Sequence, residues 1–349
     1  MAALAGAALN PILLNVIAQH LDQLPPQPTS RDQRDRVVSL INFAVNVPPA
    51  WPAVRLRLNQ KLFLSSSARC QQFVGAQQAA QGAAWHHSTL VVIFSGDSLQ
   101  VLDEAGIFAG LREMPFLTTL EIIHLAGGIG EEILQFPSLA HLSSLKIACV
   151  VHPSNLIAPN LPLLPHFHLR NLVFVHGVNA APFTAPQRFY AALLLAGVGS
   201  LRSLDTVITP DPPLQNALVI QLPALSPLIT TLTLFFNTDV AILPMWLTAG
   251  MVAANQLVTL RLRRQNNNVL HSVRGVMEAG GAQIRVWDLN QGGMMVPATL
   301  NNMTLDLNTP PFNVTTIRLP RWSRAEINSP MGMVFRNTCI ARLVALVYV

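Results

Sequence analysis

From Leu90 onward a short hydrophobic unit recurs: an aliphatic residue, two variable residues, a second aliphatic, then alternating positions. It reads Leu90-Val-Val-Ile93, Leu117-Thr-Thr-Leu120, Leu142-Ser-Ser-Leu145, Leu169-Arg-Asn-Leu172 and Leu201-Arg-Ser-Leu204. It continues as Ile229-Thr-Thr-Leu232, Leu257-Val-Thr-Leu260, a weaker Gly281-Ala-Gln-Ile284, Val314-Thr-Thr-Ile317 and Ile340-Ala-Arg-Leu343. The first members are spaced by 27, 25, 27, 32, 28, 28, 24, 33 and 26 residues. Each copy has the period-2 alternation of a strand, with Leu120 and Ile122 on one face and Glu121 and Ile123 on the other. A single strand cannot bury its apolar face alone, so neighbours are expected to stack. Parallel stacking needs a crossover, which the intervening residues supply.

Four crossovers carry apolar residues at helical intervals: Leu99–Leu111, Pro186–Leu195, Leu243–Ala254 and Leu270–Glu278. Pro153–Pro165 and Pro210–Leu222 are proline-rich and read as extended or turn-like. A period of roughly 20–29 residues with L-x-x-L-x-L strands resembles the leucine-rich repeat. Asn237 is an isolated asparagine at a strand end. The array is therefore similar to the irregular intracellular type. The expected fold class is α/β: a curved leucine-rich-repeat solenoid over residues 66–349, with about ten strand units and a mixed helical and irregular convex side. Residues 291–311 depart from the period and are expected to add a strand around Met303–Leu307. The apolar stretch Ile340–Val349 requires a cover, because an exposed apolar edge aggregates.

Residues 1–65 read as a helical module. Leu9, Ile12, Leu13, Val16, Ile17, Leu21 and Leu24 form one helix face, with Asn10 then Pro11 as a start signal. A second helix is expected over Asp32–Val45, and a third after Pro48-Pro49 with Trp51, Val54, Leu58 and Leu62 in register. Three short helices before such repeats resemble a divergent F-box. The matching runs are Asn10-Pro11-Ile12-Leu13 with Ile17 and Leu21, Leu40-Ile41-Asn42-Phe43-Ala44, and Arg57-Leu58-Asn59-Gln60-Lys61-Leu62-Phe63. The resemblance implies that Pro11, Ile12, Leu13, Ile17, Leu21, Phe43 and Leu58 bind a Skp-type adaptor. It also implies that the repeats hold the target of a cullin–RING ubiquitin ligase. The same helices serve equally as a cap sealing the first repeat.

Charged residues make up 11 % of the chain, well under the ~25 % typical of globular proteins. Asn, Gln, Ser, Thr and Pro take their place, which suits faces covered by partners. The net charge of +5 rests on few charges, and Lys occurs only at Lys61 and Lys146, so no nucleic-acid signature is present. Cys70, Cys149 and Cys339 lack C-x-x-C spacing, which argues against a disulfide framework and a zinc knuckle. No run of about 18 apolar residues predicts a membrane span.

Residues flanking each second aliphatic form the expected concave, partner-binding face: Glu121, Lys146, Asp205, Phe235, Arg261, Arg263, Arg285, Trp287 and Arg318. Arg261, Arg285 and Arg318 are expected on one line, a basic stripe suited to an acidic or phosphorylated target. His124, Cys149 and His176 share a register position, but three ligands without a fourth do not make a metal site. Gly127-Gly128-Ile129-Gly130 precedes Glu131-Glu132 and reads as a turn. No nucleophile elbow, phosphate loop or paired carboxylates point to catalysis, and no cofactor is implied. The expected function is non-enzymatic protein recognition inside the cell. The alternative is a structural component of a virion or coat, whose partners are neighbouring coat subunits.

Overall fold

Proline at a first helical turn and paired prolines between apolar runs set the first three helices. In the computed structural model these are α1 (Pro11–Leu21), α2 (Ser30–Asn46) and α3 (Trp51–Gln60), the last two joined by a 3-10 turn at Pro48–Ala50. The structure describes residues 11–22, 30–83, 85–96, 102–123, 125–153, 166–174, 187–208, 221, 224–236, 258–264, 285–288, 304, 307–308, 314–319 and 324–348. The architecture is α/β, in two units: 1–121 with 136–141, and 122–135 with 142–349.

In the first unit, Leu14, Ala18, Leu40, Ala44, Ala50 and Val54 form the core of the helical bundle, with Leu21, Phe43, Val47 and Leu58 packed against it. Asp22 is buried beside this core. It accepts from Arg36 Nε at 2.5 Å and pairs with Lys61 Nζ at 3.2 Å. Arg36 also donates to the Arg57 carbonyl at 3.0 Å, so one cluster ties all three helices to the strand that follows.

That strand, β1 (Lys61–Leu64), corrects two expectations. The third helix stops at Gln60, and Lys61-Leu62-Phe63 is extended rather than helical. β1 pairs in parallel with β2 (Val91–Ser95), Leu62 opposite Val92 and Leu64 opposite Phe94, so strands begin inside the stretch assigned to the helical module. Here α4 (Ser67–Ala79) is the crossover, and α5 (Glu104–Arg112) leads on to β3 (Thr119–Ile123). α5 occupies the helix expected at Leu99–Leu111. α4 was not foreseen, because its buried face is Cys70, Phe73 and Gln77 in a Gln- and Ala-rich run.

The inward residues of β2 are Val92 and Phe94, not Ile93. This copy therefore starts at the fully buried Thr89, one residue before the exposed Leu90. A slip of one residue exchanges the faces of a strand. Thr89 can stand in an aliphatic place because its hydroxyl donates to the Asn59 carbonyl at 2.9 Å. Asn59 holds the equivalent place before β1. Its amide donates to the Trp85 carbonyl at 2.8 Å and accepts from Gln77 Nε2 at 3.0 Å.

The second unit contains β4 (Ile129–Gly130) and β6 (Val151–His152), which pair in parallel with each other. Its main sheet runs in chain order through β5 (Ser144–Ala148), β7 (Asn171–Phe174), β8 (Ser203–Ile208), β9 (Thr231–Phe236) and β10 (Thr259–Arg264). It ends with β11 (Val286–Asp288), β12 (Thr316–Leu319) and β13 (Ala345–Tyr348). Each of these strands is parallel to the one before. α6 (Gln187–Gly197), the helix expected at Pro186–Leu195, lies between β7 and β8, and α7 (Arg324–Ile327) and α8 (Pro330–Ala341) precede β13.

One register line joins Leu145, Leu172, Leu204, Leu232, Leu260, Trp287, Ile317 and Leu346. The steps along it are 27, 32, 28, 28, 27, 30 and 29 residues. Leu145, Leu172, Leu204, Leu232 and Ile317 are buried, each worth roughly 1.5–3 kcal/mol of apolar burial. At the start of each of β7 to β12 two amides converge on one carbonyl. Arg170 and Asn171 donate to Ser143, Arg202 and Ser203 to Arg170, and Thr230 and Thr231 to Arg202.

Two copies expected in this unit shift by three residues. The register sets Trp287, not Ile284, opposite Leu260, so the copy read as Gly281-Ala-Gln-Ile284 is three residues early, a tryptophan standing where the pattern expects an aliphatic. Leu343-Val-Ala-Leu346 replaces Ile340-Ala-Arg-Leu343, because Ile340 is still in α8. That helix is capped by Ser329 before Pro330. It ends with Val344 N–H on the Cys339 carbonyl and Leu343 N–H on the Ile340 carbonyl, Leu343 having φ +56°. Thr304, Leu307 and Asn308 are helical where a strand was expected. The helices expected at Leu243–Ala254 and Leu270–Glu278, and the segments 154–165 and 210–220, lie outside the described residues.

Cys70, Cys149 and Cys339 are free, buried thiols. Desolvation pushes them up to about 11, 12 and 12. No helix among the described residues is long and apolar enough to cross a membrane.

Candidate binding face

Alternation along the second unit's strands sets a second register line, one residue past the inward one: Lys146, Val173, Asp205, Thr233, Arg261, Asp288, Arg318 and Val347. Four of the predicted residues, Lys146, Asp205, Arg261 and Arg318, fall on it. Glu121, the last residue of the first unit before Ile122, holds the corresponding place in the motif of β3 and is half-buried. Phe235 and Arg263 lie opposite each other two residues further on.

The predicted basic stripe is corrected here. Asp288, not Arg285, stands opposite both Arg261 and Arg318. Arg285 precedes β11; it is exposed, its amide donates to the Val258 carbonyl, and its own carbonyl takes Thr315 and Thr316. Trp287 lies on the inward line between Leu260 and Ile317. Both were misplaced by the same three-residue phase error. Neighbouring parallel strands are ~4.8 Å apart, and the register positions along this line read Arg261, Asp288 and Arg318, alternating in sign rather than all cationic.

The line before the inward one is polar: Ser144, Asn171, Ser203, Thr231 and Thr259 in succession, then Val286 and Thr316. One residue earlier still, at the leading edge of the sheet, Arg170 and Arg202 are exposed on adjacent strands. Sequence reasoning passed over this pair by counting only residues that flank the second aliphatic. The signal was visible, since Leu169-Arg-Asn-Leu172 and Leu201-Arg-Ser-Leu204 carry arginine in the same place.

Other candidates resolve into supports of the fold. Gly128 has φ +72°, and a Cβ there would meet the Val150 carbonyl oxygen at 2.6 Å, so glycine is required at the expected turn. The Glu131 that follows is fully buried and bound by Arg188 through both oxygens, with Nε at 2.8 Å. The Tyr190 hydroxyl bonds that of Thr206, which fills an inward place on β8; burial pushes the phenol up. Cys149 is buried, while His124 and His176 lie outside the described residues. No cluster of three or more metal-ligating side chains occurs among the described residues.

The predicted adaptor-binding residues divide in two. Pro11, Ile12, Leu13 and Ile17 are exposed on α1, whereas Leu21, Phe43 and Leu58 pack against the bundle core. α1 thus buries Leu14 and Ala18 and turns a second apolar stripe, with Val16, outward. No protein-family model and no curated protein matches this chain.

Proposed function

We propose that this chain is a non-catalytic protein-recognition molecule of the irregular leucine-rich-repeat type, acting inside the cell. The observation that carries this reading is the unbroken register line from Leu145 to Leu346, one inward residue per strand in chain order. Steps of 27 to 32 residues sit at and just above the period of such repeats. A parallel array built this way presents alternating outward residues as a continuous surface. The register places short hydroxyl and amide residues and charged residues of both signs along it, with Val173 and the buried Thr233 between them, a composition suited to a polar protein partner.

The exposed stripe Ile12, Leu13, Val16 and Ile17 supports the second half of the reading, in which α1 docks a Skp-type adaptor and the chain is a substrate receptor of a cullin–RING ligase. An apolar stripe on a helix that already has a buried face fits a docking helix. The test is co-purification of the full chain with that adaptor, wild type against Ile12→Glu/Ile17→Glu. Capture by the wild type and its loss in the variant are expected. Failure of the wild type to bind rejects the adaptor. Recovery only within a particle with many copies of the chain would point to the coat component instead. Charge reversal at Arg261 and Arg318 tests the face separately, by loss of partners that co-purify with the wild type.

A further inference from the structure

The leading edge of the second unit's sheet places two arginines side by side. The Arg170 carbonyl accepts from Arg202 N–H at 2.8 Å and Ser203 N–H at 3.1 Å, which fixes the relative positions of these residues. Asn171 stands opposite Ser203 in register. Two dipeptides, Arg170-Asn171 and Arg202-Ser203, therefore form a square about one strand spacing wide, ~4.8 Å. Arg170, Asn171 and Arg202 are exposed and Ser203 is half-buried.

Like charges this close repel, and the fold does not neutralise Arg170 with an ion pair among the described residues. Arg188, in the same unit, has Glu131 as its carboxylate. Arg202 is held in place by Nη1, which donates to the Leu228 carbonyl at 3.3 Å. The square thus combines two guanidinium groups with an amide and a hydroxyl, all able to donate. A phosphate monoester complements it: it carries nearly two negative charges and three strong acceptor oxygens, and arginine binds such groups through two parallel bonds.

We propose that Arg170, Asn171, Arg202 and Ser203 form a binding site for a phosphorylated serine or threonine on a partner protein. The inference rests on the recognition reading above and names one chemical feature of the partner. A nucleic acid is the less fitting source of phosphate. The outward neighbour Val173 offers no ring for base stacking, and the cation pair does not extend along the edge, where Thr230 and Val258 follow Arg202.

The test is fluorescence polarisation of the full chain with short degenerate peptides carrying a central phosphothreonine, with their unphosphorylated counterparts, and with an oligothymidylate. The phosphorylated peptides are expected to bind about tenfold or more tightly than the unphosphorylated ones. Arg170→Ala/Arg202→Ala should abolish that preference, and inorganic phosphate should compete. Arg170→Lys/Arg202→Lys keeps the charge and should recover only part of the binding, because lysine cannot form the paired bonds. Equal binding of both peptide pools, or an unchanged preference in the alanine variant, overturns the proposal. So does tighter, Arg170- and Arg202-dependent binding of the oligothymidylate. If the phosphopeptides fail while Arg261→Glu/Arg318→Glu still strips co-purifying partners from the chain, this site is rejected and the recognition face stands. If no variant on the face alters those partners, the recognition reading itself is rejected.

Discussion

The helical bundle at residues 11–60 and the strand array of the second unit bury apolar surface in opposite ways. Along the array the inward line is made of large side chains, with Leu145, Leu172, Leu204, Leu232 and Ile317 each 0–1 % exposed. In the bundle three of the core residues are alanines, Ala18, Ala44 and Ala50. Larger residues face out there, with Ile12 73 % and Val45 65 % exposed. The array gains its stability from stacked aliphatics. The bundle has less volume to bury and holds its helices with the charged cluster of Asp22, Arg36 and Lys61. The lesson is one of division of labour: one region spends its large apolar residues on the fold, while the other keeps many of them at the surface.

The largest expected effect breaks the array. Leu172→Ala removes a fully buried side chain from the register line and should destabilise the second unit by about 4 kcal/mol. Leu13→Ala deletes the same atoms from the half-exposed face of α1 and should fall within about 0.5 kcal/mol of wild type. Urea denaturation followed by circular dichroism measures both. Comparable losses at the two positions would remove the distinction between inward line and outward stripe.

Next in size is the clamp of the bundle. Asp22→Ala leaves Arg36 buried without its carboxylate and should cost about 3 kcal/mol, seen as faster amide exchange across residues 11–60. Asp22→Leu/Arg36→Met replaces both charges with apolar groups and should recover most of that loss. If the double variant exchanges as fast as the single one, the cluster does more than neutralise its own charges.

Much of the array was legible in the sequence. Six of the strand copies in the second unit, those of β5, β7, β8, β9, β10 and β12, and that of β3 announced themselves by an aliphatic residue in both places of the motif. Phase was lost only where another residue type intrudes. Thr89 fills an aliphatic place through its hydroxyl bond, Trp287 holds by register a place where the motif has an aliphatic, and Ile340 misleads because a helix end imitates the motif. α4 left little trace because Gln77 packs inward on hydrogen bonds rather than on hydrophobicity. On the face, Lys146, Asp205, Arg261 and Arg318 were placed by alternation alone. Asp288 was hidden by the three-residue error at β11, and with it the alternation of charge that replaces the basic stripe.

The smallest expected effect concerns how helices begin within the first unit, in the bundle and in the crossover beyond it. α3 starts at Ala50 with no side-chain cap, whereas the crossover helix α5 is capped by Asp103, which accepts from Gly106 N–H at 2.8 Å. Ser67 Oγ donates to the same carboxylate at 2.7 Å and accepts from Asp103 N–H at 3.0 Å, so the first residue of α4, a helix capped by its own Ser66, braces the cap of α5. The Ser67 hydroxyl, with the Gly106 amide, holds the Asp103 carboxyl below the usual carboxylate range. A depressed native value means that the cap stabilises above the unfolded carboxyl's value and is lost as pH falls through the native one. Asp103→Ala should therefore cost about 1 kcal/mol at neutral pH, with the stability curves of wild type and variant converging below about pH 4. Curves that coincide at neutral pH, with no loss in the variant, would mean that α5 is held by packing of Ile107 and Leu111 alone, as the uncapped α3 is held by its core.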